Sequence, residues 1–265
     1  MALDLFKVGC PMLKEQRFEA ICDELKKNGI ISIDDLSKRL NISRSTIRRD
    51  IFELESNAAL KRIRGGAVAV HSNTSYEPTF YERADVSRDE KQRIAAAAAS
   101  LIKPNETLLL AGGTTIHEFA KQLRNISPLY VATVDLMSAV ELAKYPNVEL
   151  TILGGTVRRS HYSVIGYFAE SMIRQIHADR AFLNADAVDF NIGTMNFSAE
   201  EIAVNKLIIE ASNQVIVLCD HTKFDAIAFA NTCSFDKIDL LITGREIRED
   251  YLDRLHEIGV EVMVV

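Results

Sequence analysis

At 265 residues the chain has room for one small and one medium domain. Its composition, 48% hydrophobic and 26% charged, excludes a disordered or fibrous protein. No apolar run approaches the roughly eighteen residues of a membrane-spanning helix. The net charge of −6 argues against nucleic acid until it is divided: residues 1–70 hold 13 Lys+Arg against 10 Asp+Glu, and the remainder 18 against 27. A mildly basic N-terminal module on an acidic body is thereby implied.

In chain order, Met1 to Pro11 lacks the pattern of a signal peptide. Lys14 to Asn28 reads as an amphipathic helix with Phe18, Ile21, Cys22 and Leu25 inward, stopped by Gly29. Asp34 to Leu40 predicts a short helix, Asn41-Ile42 a turn, and Ser43 the N-cap of a second helix over about Arg44 to Ser56. Ile47, Ile51 and Leu54 recur at helical spacing and point into a core. Arg44, Ser45, Thr46, Arg48 and Arg49 lie on the remaining surface. Arginines can fork onto guanine edges or neutralise phosphates, and small hydroxyl residues let a helix enter the major groove closely. The stretch Leu60 to Val70 then places Lys61, Arg62 and Arg64 before Gly65-Gly66, as in a wing whose basic strand lies on the DNA backbone. A solvated basic helix in an ordinary domain would explain each feature singly; their order is that of a winged helix-turn-helix.

Thr46 to Glu55 (TIRRDIFELE) followed by Ile63 to Val68 (IRGGAV) resembles the N-terminal signature of the DeoR family of bacterial transcription regulators, and the resemblance extends from about Met12 over nearly the whole chain. It implies a winged helix-turn-helix reading double-stranded operator DNA. It also implies a C-terminal sensor domain related to sugar-phosphate isomerases and governed by a phosphorylated sugar. The expected organisation is a DNA-binding domain over 12–70, a linker over 71–87 and an α/β sensor over 88–265.

The linker reading rests on the broken periodicity from His71 to Ser87. Ser87-Arg-Asp-Glu90 predicts a capping box opening a helix through Ala95 to Ala99. Strands are then expected at Thr107–Leu110, Leu129–Thr133, Glu149–Leu153, Arg180–Leu183, Gln214–Cys219, Asp239–Thr243 and Glu261–Val264. Helices are expected at Ile116–Leu123, Leu136–Lys144, Tyr167–Ile176, Ala199–Ala211 and Arg248–Ile258. This alternation means a mostly parallel sheet covered by helices.

Ligands of such sheets sit beyond the C-terminal strand ends, where four loops are chemically loaded. Ala111-Gly112-Gly113-Thr114-Thr115 offers backbone N–H groups, hydroxyls and a helix start to an anion. Gly154-Gly155 precedes Arg158-Arg159, and Asp220-His221-Thr222-Lys223-Phe224 brings a lysine. The loop near Asp186 to Gly193 carries acids without a clear donor set. Each loop alone could be a plain turn; together they point to an anionic small-molecule pocket. In the resemblance, GGTT, LGGTVRR and DHTKF correspond to effector-pocket motifs. They assign Gly112, Gly113, Thr114, Thr115, Asp135, Gly155, Arg158, Asp220 and Lys223 to effector binding. Ala111 stands where an aspartate is usual, Val134 for an asparagine, Asn184 for a glycine and Asn205 for a lysine, so a changed or weakened ligand is expected.

The four cysteines, Cys10, Cys22, Cys219 and Cys233, form no C-x-x-C pair and are expected as reduced, mostly buried thiols. His117, His161, His177, His221 and His256 lack metal-ligand spacing and are expected at the surface or in loops, with His221 alone beside the pocket. No cofactor, metal or catalytic residue is expected. The predicted protein is a cytoplasmic, homo-oligomeric repressor, a dimer or higher, with operator half-sites in register. The alternative is an isomerase-like enzyme with an appended DNA-binding module. It needs a carboxylate to move a proton; Ala111 removes the obvious one, leaving Asp135, Asp186, Asp189 and Asp220. A DNA-binding architectural protein with an inert sensor is a third possibility.

Overall fold

The computed structural model describes residues 12–28, 30–56, 60–63, 65–69 and 77–265, in two compact units, Met1–Ser72 and Asn73–Val265.

The first unit holds α1 (Lys14–Asn28), β1 (Ile30–Ser32), α2 (Ile33–Leu40), α3 (Arg44–Ser56), β2 (Leu60–Ile63) and β3 (Gly66–Ala69). Ile21 and Leu25 from α1, Leu36 from α2, Ile47, Ile51 and Leu54 from α3 and Leu60 from β2 close one core. Ser32 caps α2, accepting from the Asp34 and Asp35 amides, and the helix begins at Ile33, one residue earlier than the predicted start. Asn41 ends α2 in the left-handed region at φ 53°, and Ser43 Oγ accepts from Thr46 N at 3.2 Å to start α3. The predicted hairpin is the β2–β3 pair, but β1 adds antiparallel to β3 and makes a three-stranded sheet. Gly66 is forced by that addition, because a Cβ there would collide with the Ile31 carbonyl of β1. Asp50, buried on α3, accepts from Arg17 Nε at 2.7 Å and Nη2 at 2.9 Å, tying α1 to α3.

The second unit begins inside the expected linker. Residues 71–76 lie outside the described residues, but α4 (Phe80–Ala84) is a helix capped by Thr79, with Thr79 and Glu82 forming a full capping box. Its Phe80 is buried edge-on to His117 and Tyr162. It is followed by α5 (Arg88–Ser100), β4 (Thr107–Leu110), α6 (Thr114–Gln122), β5 (Leu129–Thr133), α7 (Leu136–Leu142) and β6 (Val148–Ile152). Next come the short hairpin β7 (Thr156–Val157) and β8 (Val164–Ile165), then α8 (Tyr167–Ile173) and β9 (Ala178–Asn184). The chain continues through β10 (Ala187–Asp189), β11 (Gly193–Asn196), α9 (Ala199–Glu210), β12 (Ser212–Leu218), β13 (Ala230–Cys233), β14 (Leu240–Thr243), α10 (Glu249–Ile258) and β15 (Val262–Val264).

The seven predicted strands form one parallel sheet in the order β15-β14-β12-β9-β4-β5-β6. Its central strands are buried on both faces, through Leu108–Leu110, Ala181–Leu183 and Val215–Leu218, whereas the edge strand β6 is largely exposed. Leu108 and Leu110 pack with α5, α6 and α7, while the alternate residue Leu109 packs with Ala169 and Ile173 of α8 and Val204 and Ile208 of α9. Three strands absent from the sequence reading, β10, β11 and β13, form a separate antiparallel sheet. The predicted Ser87 box is not made. Ser87 sits at φ 52° with no side-chain cap, and Glu90 instead accepts from the His221 amide at 2.8 Å. Among the described residues no helix is long and apolar enough to cross a membrane.

Candidate functional site

In the first unit, helical geometry sorts α3 as expected. Ile47 and Ile51 are fully buried, whereas Arg44, Ser45, Arg48 and Arg49 are exposed and Thr46 is half-buried. Ser43 Oγ lies 2.9 Å from Ser45 Oγ and 2.8 Å from Thr46 Oγ1, so the three hydroxyls at the helix start are pre-arranged as one group. Arg44 pairs with Asp34 across the turn at 2.9 Å, with both side chains more than half exposed. Such a contact is readily exchanged for a phosphate. On the wing Arg62 pairs with Glu55 at 2.7 Å and lies 5.0 Å over the Phe52 ring. Arg48, Arg62 and the Gly65-Gly66 turn border one groove of about 330 Å³. Of the other wing cations, Arg64 lies outside the described residues, as does the side chain of Lys61.

In the second unit, β4 is the first strand in sequence and lies inside the sheet. The connections run outward through β5 and β6 on one side and later through β9, β12, β14 and β15 on the other. The crevice at such a reversal lies between the C-terminal ends of β4 and β9. Gly112 and Gly113 follow β4, and Thr114 and Thr115 open α6, all four buried. Gly113 adopts φ 137°, which favours glycine, and a Cβ there would press on the Asn184 side chain at 3.0 Å. A Cβ on Gly112 would lie 3.0 Å from Ser163 Cβ and 3.4 Å from Glu201 Oε1.

Asp135 supports this turn from beneath. Its Oδ2 accepts from Gly113 N at 2.9 Å, and Oδ1 accepts from Met137 N at 2.7 Å and Ser138 N at 3.0 Å. Burial pushes its pKa up to about 6 against those three amide bonds, which pull the other way. The carboxylate is thus an N-cap and a brace. Gly155 is separate from the turn: a Cβ there would press on the Ile165 carbonyl oxygen at 2.5 Å, a packing requirement of the β7–β8 hairpin.

At the end of β12, Asp220 Oδ1 accepts from Thr222 N at 3.1 Å and from the Thr222 hydroxyl, and Lys223 Nζ stands 4.0 Å from Oδ2. Burial raises the Asp220 carboxyl, but the charges of Lys223 and Lys91 outweigh it and hold the pKa below its ordinary value. Lys91 was invisible in the sequence, where it sits inside an ordinary helix. It is 2% exposed, donates to the Arg83 carbonyl at 2.6 Å, and burial brings its pKa down to about 8. Glu90 beside it holds His221 Nδ1 at 2.6 Å, which raises the His221 pKa.

Arg158 is not a free cation. Its Nη1 donates to Glu201 Oε2 at 2.6 Å and its Nη2 to Glu77. Glu77, in the supposed linker, also faces Arg83 Nη2 at 3.7 Å and His161 Nδ1 at 3.1 Å. Arg83 Nη1 in turn donates to Asp186 Oδ1 at 2.9 Å, and Asp186 Oδ2 accepts from Asn196 Nδ2 at 3.0 Å. The acid loop thus has its donors, supplied from α4 and β11. Burial pushes Glu77 up, yet the contacts with His161 and Arg158 and the Arg158 charge leave it at about 2. One histidine expectation is corrected: His117 is half-buried within α6. Above Arg158 opens a cleft of about 590 Å³ bordered by Glu77, Arg158, Arg159, His161, Ser198 and Phe229.

A helix-turn-helix with an exposed basic second helix and a wing, carried on one chain with an α/β unit whose switch-point crevice is polar, defines a DNA-binding transcription regulator with a small-molecule sensor. Residues 17–73 match the DeoR-like helix-turn-helix domain and residues 86–245 the DeoR C terminal sensor domain. The chain belongs to the DeoR family and is a regulator rather than an enzyme. It is 32% identical over 253 residues to the HTH-type transcriptional regulator GolR of Listeria innocua, covering 96% of this chain and 99% of that one. It is 32% identical over 251 residues to a putative aga operon transcriptional repressor of Escherichia coli O157:H7 (94% and 93% covered). With the HTH-type transcriptional repressor GlcR of Bacillus subtilis it shares 31% over 255 residues (96% and 97% covered). Among solved structures, ribose 5-phosphate isomerase A of Methanocaldococcus jannaschii aligns with a TM-score of 0.39 at 19% identity, over 52% of this chain and 55% of that one.

Proposed function

We propose that the protein is a cytoplasmic, homo-oligomeric repressor of carbohydrate-metabolism genes whose operator affinity is set by a phosphorylated sugar. Arg44, Ser45, Thr46, Arg48 and Arg49 read or position the DNA, with Ser43 holding the helix start. Lys61, Arg62 and Arg64 grip phosphates from the wing. What supports the sensor half is the buried Gly112–Thr115 turn at the start of α6, beyond the end of β4, together with Lys223 and Lys91 beside Asp220 beyond the end of β12 in the same sheet. Amides at a helix start and two lysines form a seat for a phosphate monoester. Asp220 opposes the burial that lowers the Lys91 pKa and meets sugar hydroxyls at its second oxygen, which is buried without a hydrogen-bond partner. Gly112, Gly113, Thr114 and Thr115 hold the anion; Asp135 and Gly155 shape the walls. The ligand changes operator affinity by the ratio of its affinities for the two conformations.

Binding of the full-length protein to its own upstream DNA, at two salt concentrations and with a panel of pentose and hexose phosphates, tests this. One phosphate that shifts the DNA affinity supports the reading. Salt-sensitive DNA binding indifferent to the whole panel refutes its sensor half, and absence of specific DNA binding refutes the rest.

A further inference from the structure

We propose that Glu77 is a built-in occupant of the anion seat on Arg158, and that an anionic effector acts by taking its place. This rests on the reading above, since it assigns the regulation of the same pocket. Glu77 holds the Nη2 side of Arg158 and faces Arg83 and His161, so one carboxylate sits against three basic side chains. All four groups are largely buried, with side-chain exposures of 8% for Glu77, 14% for Arg158, 13% for Arg83 and 15% for His161. Exposed ion pairs contribute little, but at this burial a change of partner is felt.

Arg158 is also the cation next to the glycine turn, because its second partner, Glu201, lies against Gly112. A phosphate seated on that turn is therefore within the same charge cluster and draws the guanidinium toward itself. The incoming dianion repels the Glu77 carboxylate held on the same guanidinium, and Glu77 is the partner free to leave, because it lies on a short extended stretch ahead of α4. Glu201 is fixed in the first turn of α9. In sequence, Glu77 is the first described residue after the DNA-binding unit. Ahead of it, the amide of Phe80 is pinned to the Ser160 carbonyl at 2.8 Å, two residues from Arg158. Displacement of one carboxylate thus loosens the point at which the sensor holds the connecting chain. A ligand that must first evict a resident group loses affinity in proportion to that group's occupancy.

Isothermal titration of the full-length protein with ribose 5-phosphate, glucose 6-phosphate and inorganic phosphate, wild type against Glu77→Gln, tests this. The variant is expected to bind whichever phosphate the wild type binds about tenfold more tightly. Amide exchange at Phe80 to Ala84 is expected to be raised without ligand in the variant and raised by ligand in the wild type. Glu77→Asp, which keeps the charge but withdraws it by one methylene, should shift affinity the same way and covers the case in which the amide variant misfolds. Glu149→Gln, an exposed carboxylate on β6, removes the same charge elsewhere and should change nothing. Equal affinity of wild type and both Glu77 variants, or an equal gain in Glu149→Gln, overturns the displacement mechanism while leaving the sugar-phosphate reading intact. Absence of binding to every protein overturns both.

Discussion

Two carboxylates in the sensor behave oppositely to surface acids, and each makes a measurable difference. Asp135 accepts three backbone N–H groups. In Asp135→Asn one side-chain NH₂ would face the Gly113 amide, donor against donor, leaving a buried N–H unpaired. We expect a loss of about 2 kcal/mol in urea denaturation. Glu201 is pushed by burial, and by Asp186 and Glu77 beside it, from 4.5 up to about 8. Between these values the folded chain holds a proton that the unfolded chain has released, so this residue's contribution to stability falls as pH rises through that window. Glu201→Gln is neutral throughout and lacks the slope. Its stability relative to the wild type should therefore improve from about pH 5 to about pH 8, measured by denaturation at both ends.

At the scale of elements, the wing depends on a close approach of two strands. Gly66→Ala places a methyl group against the Ile31 carbonyl, which must part β1 from β3. A loss of about 3 kcal/mol in the N-terminal unit and a fall in affinity for operator DNA are expected, read by denaturation and by gel shift. The elements themselves were largely legible. The period of Ile47, Ile51 and Leu54 marks α3, and the alternating apolar runs and helices mark seven strands in order, because these signals are local. What escaped is what depends on distant partners. β1, β10, β11 and β13 are three or four residues long and take their identity from pairing. Ser87-x-x-Glu90 has the letters of a capping box, yet Glu90 is drawn to His221, 131 positions away. Glu77 stands beside a proline in a polar stretch that reads as linker, and its partner Arg158 lies 81 positions on. Lys91 looks like any helix lysine until Asp220 and Lys223 are brought to it.

For the molecule as a whole, the charges are segregated. The stretch 1–70 is basic by three and the rest acidic by nine, so DNA should meet one surface and be repelled by the other. Association with operator DNA should weaken steeply with salt. Replacing Arg48 and Arg49 together by alanine should lower the slope of log affinity against log salt by about two, a titration by fluorescence anisotropy being sufficient. The same surface charges leave the fold untouched, since neither arginine is buried, and the variant should melt with the wild type.

The fifteen residues from Glu77 to Lys91 have a consequence for anyone recombining such proteins. They supply Glu77 and Arg83 to the Arg158 and Asp186 pairs, Glu90 to His221 and Lys91 to the neighbourhood of Asp220. The match to the sensor family starts at residue 86, which makes that position an inviting joint for grafting this sensor onto a foreign DNA-reading head. A seam there would discard two of those four groups, Glu77 and Arg83, and with them the ion pairs that they make to Arg158 and Asp186. Cutting ahead of Glu77 carries all four groups over, so a chimera joined at that earlier seam keeps the buried ion pairs that one joined at residue 86 lacks.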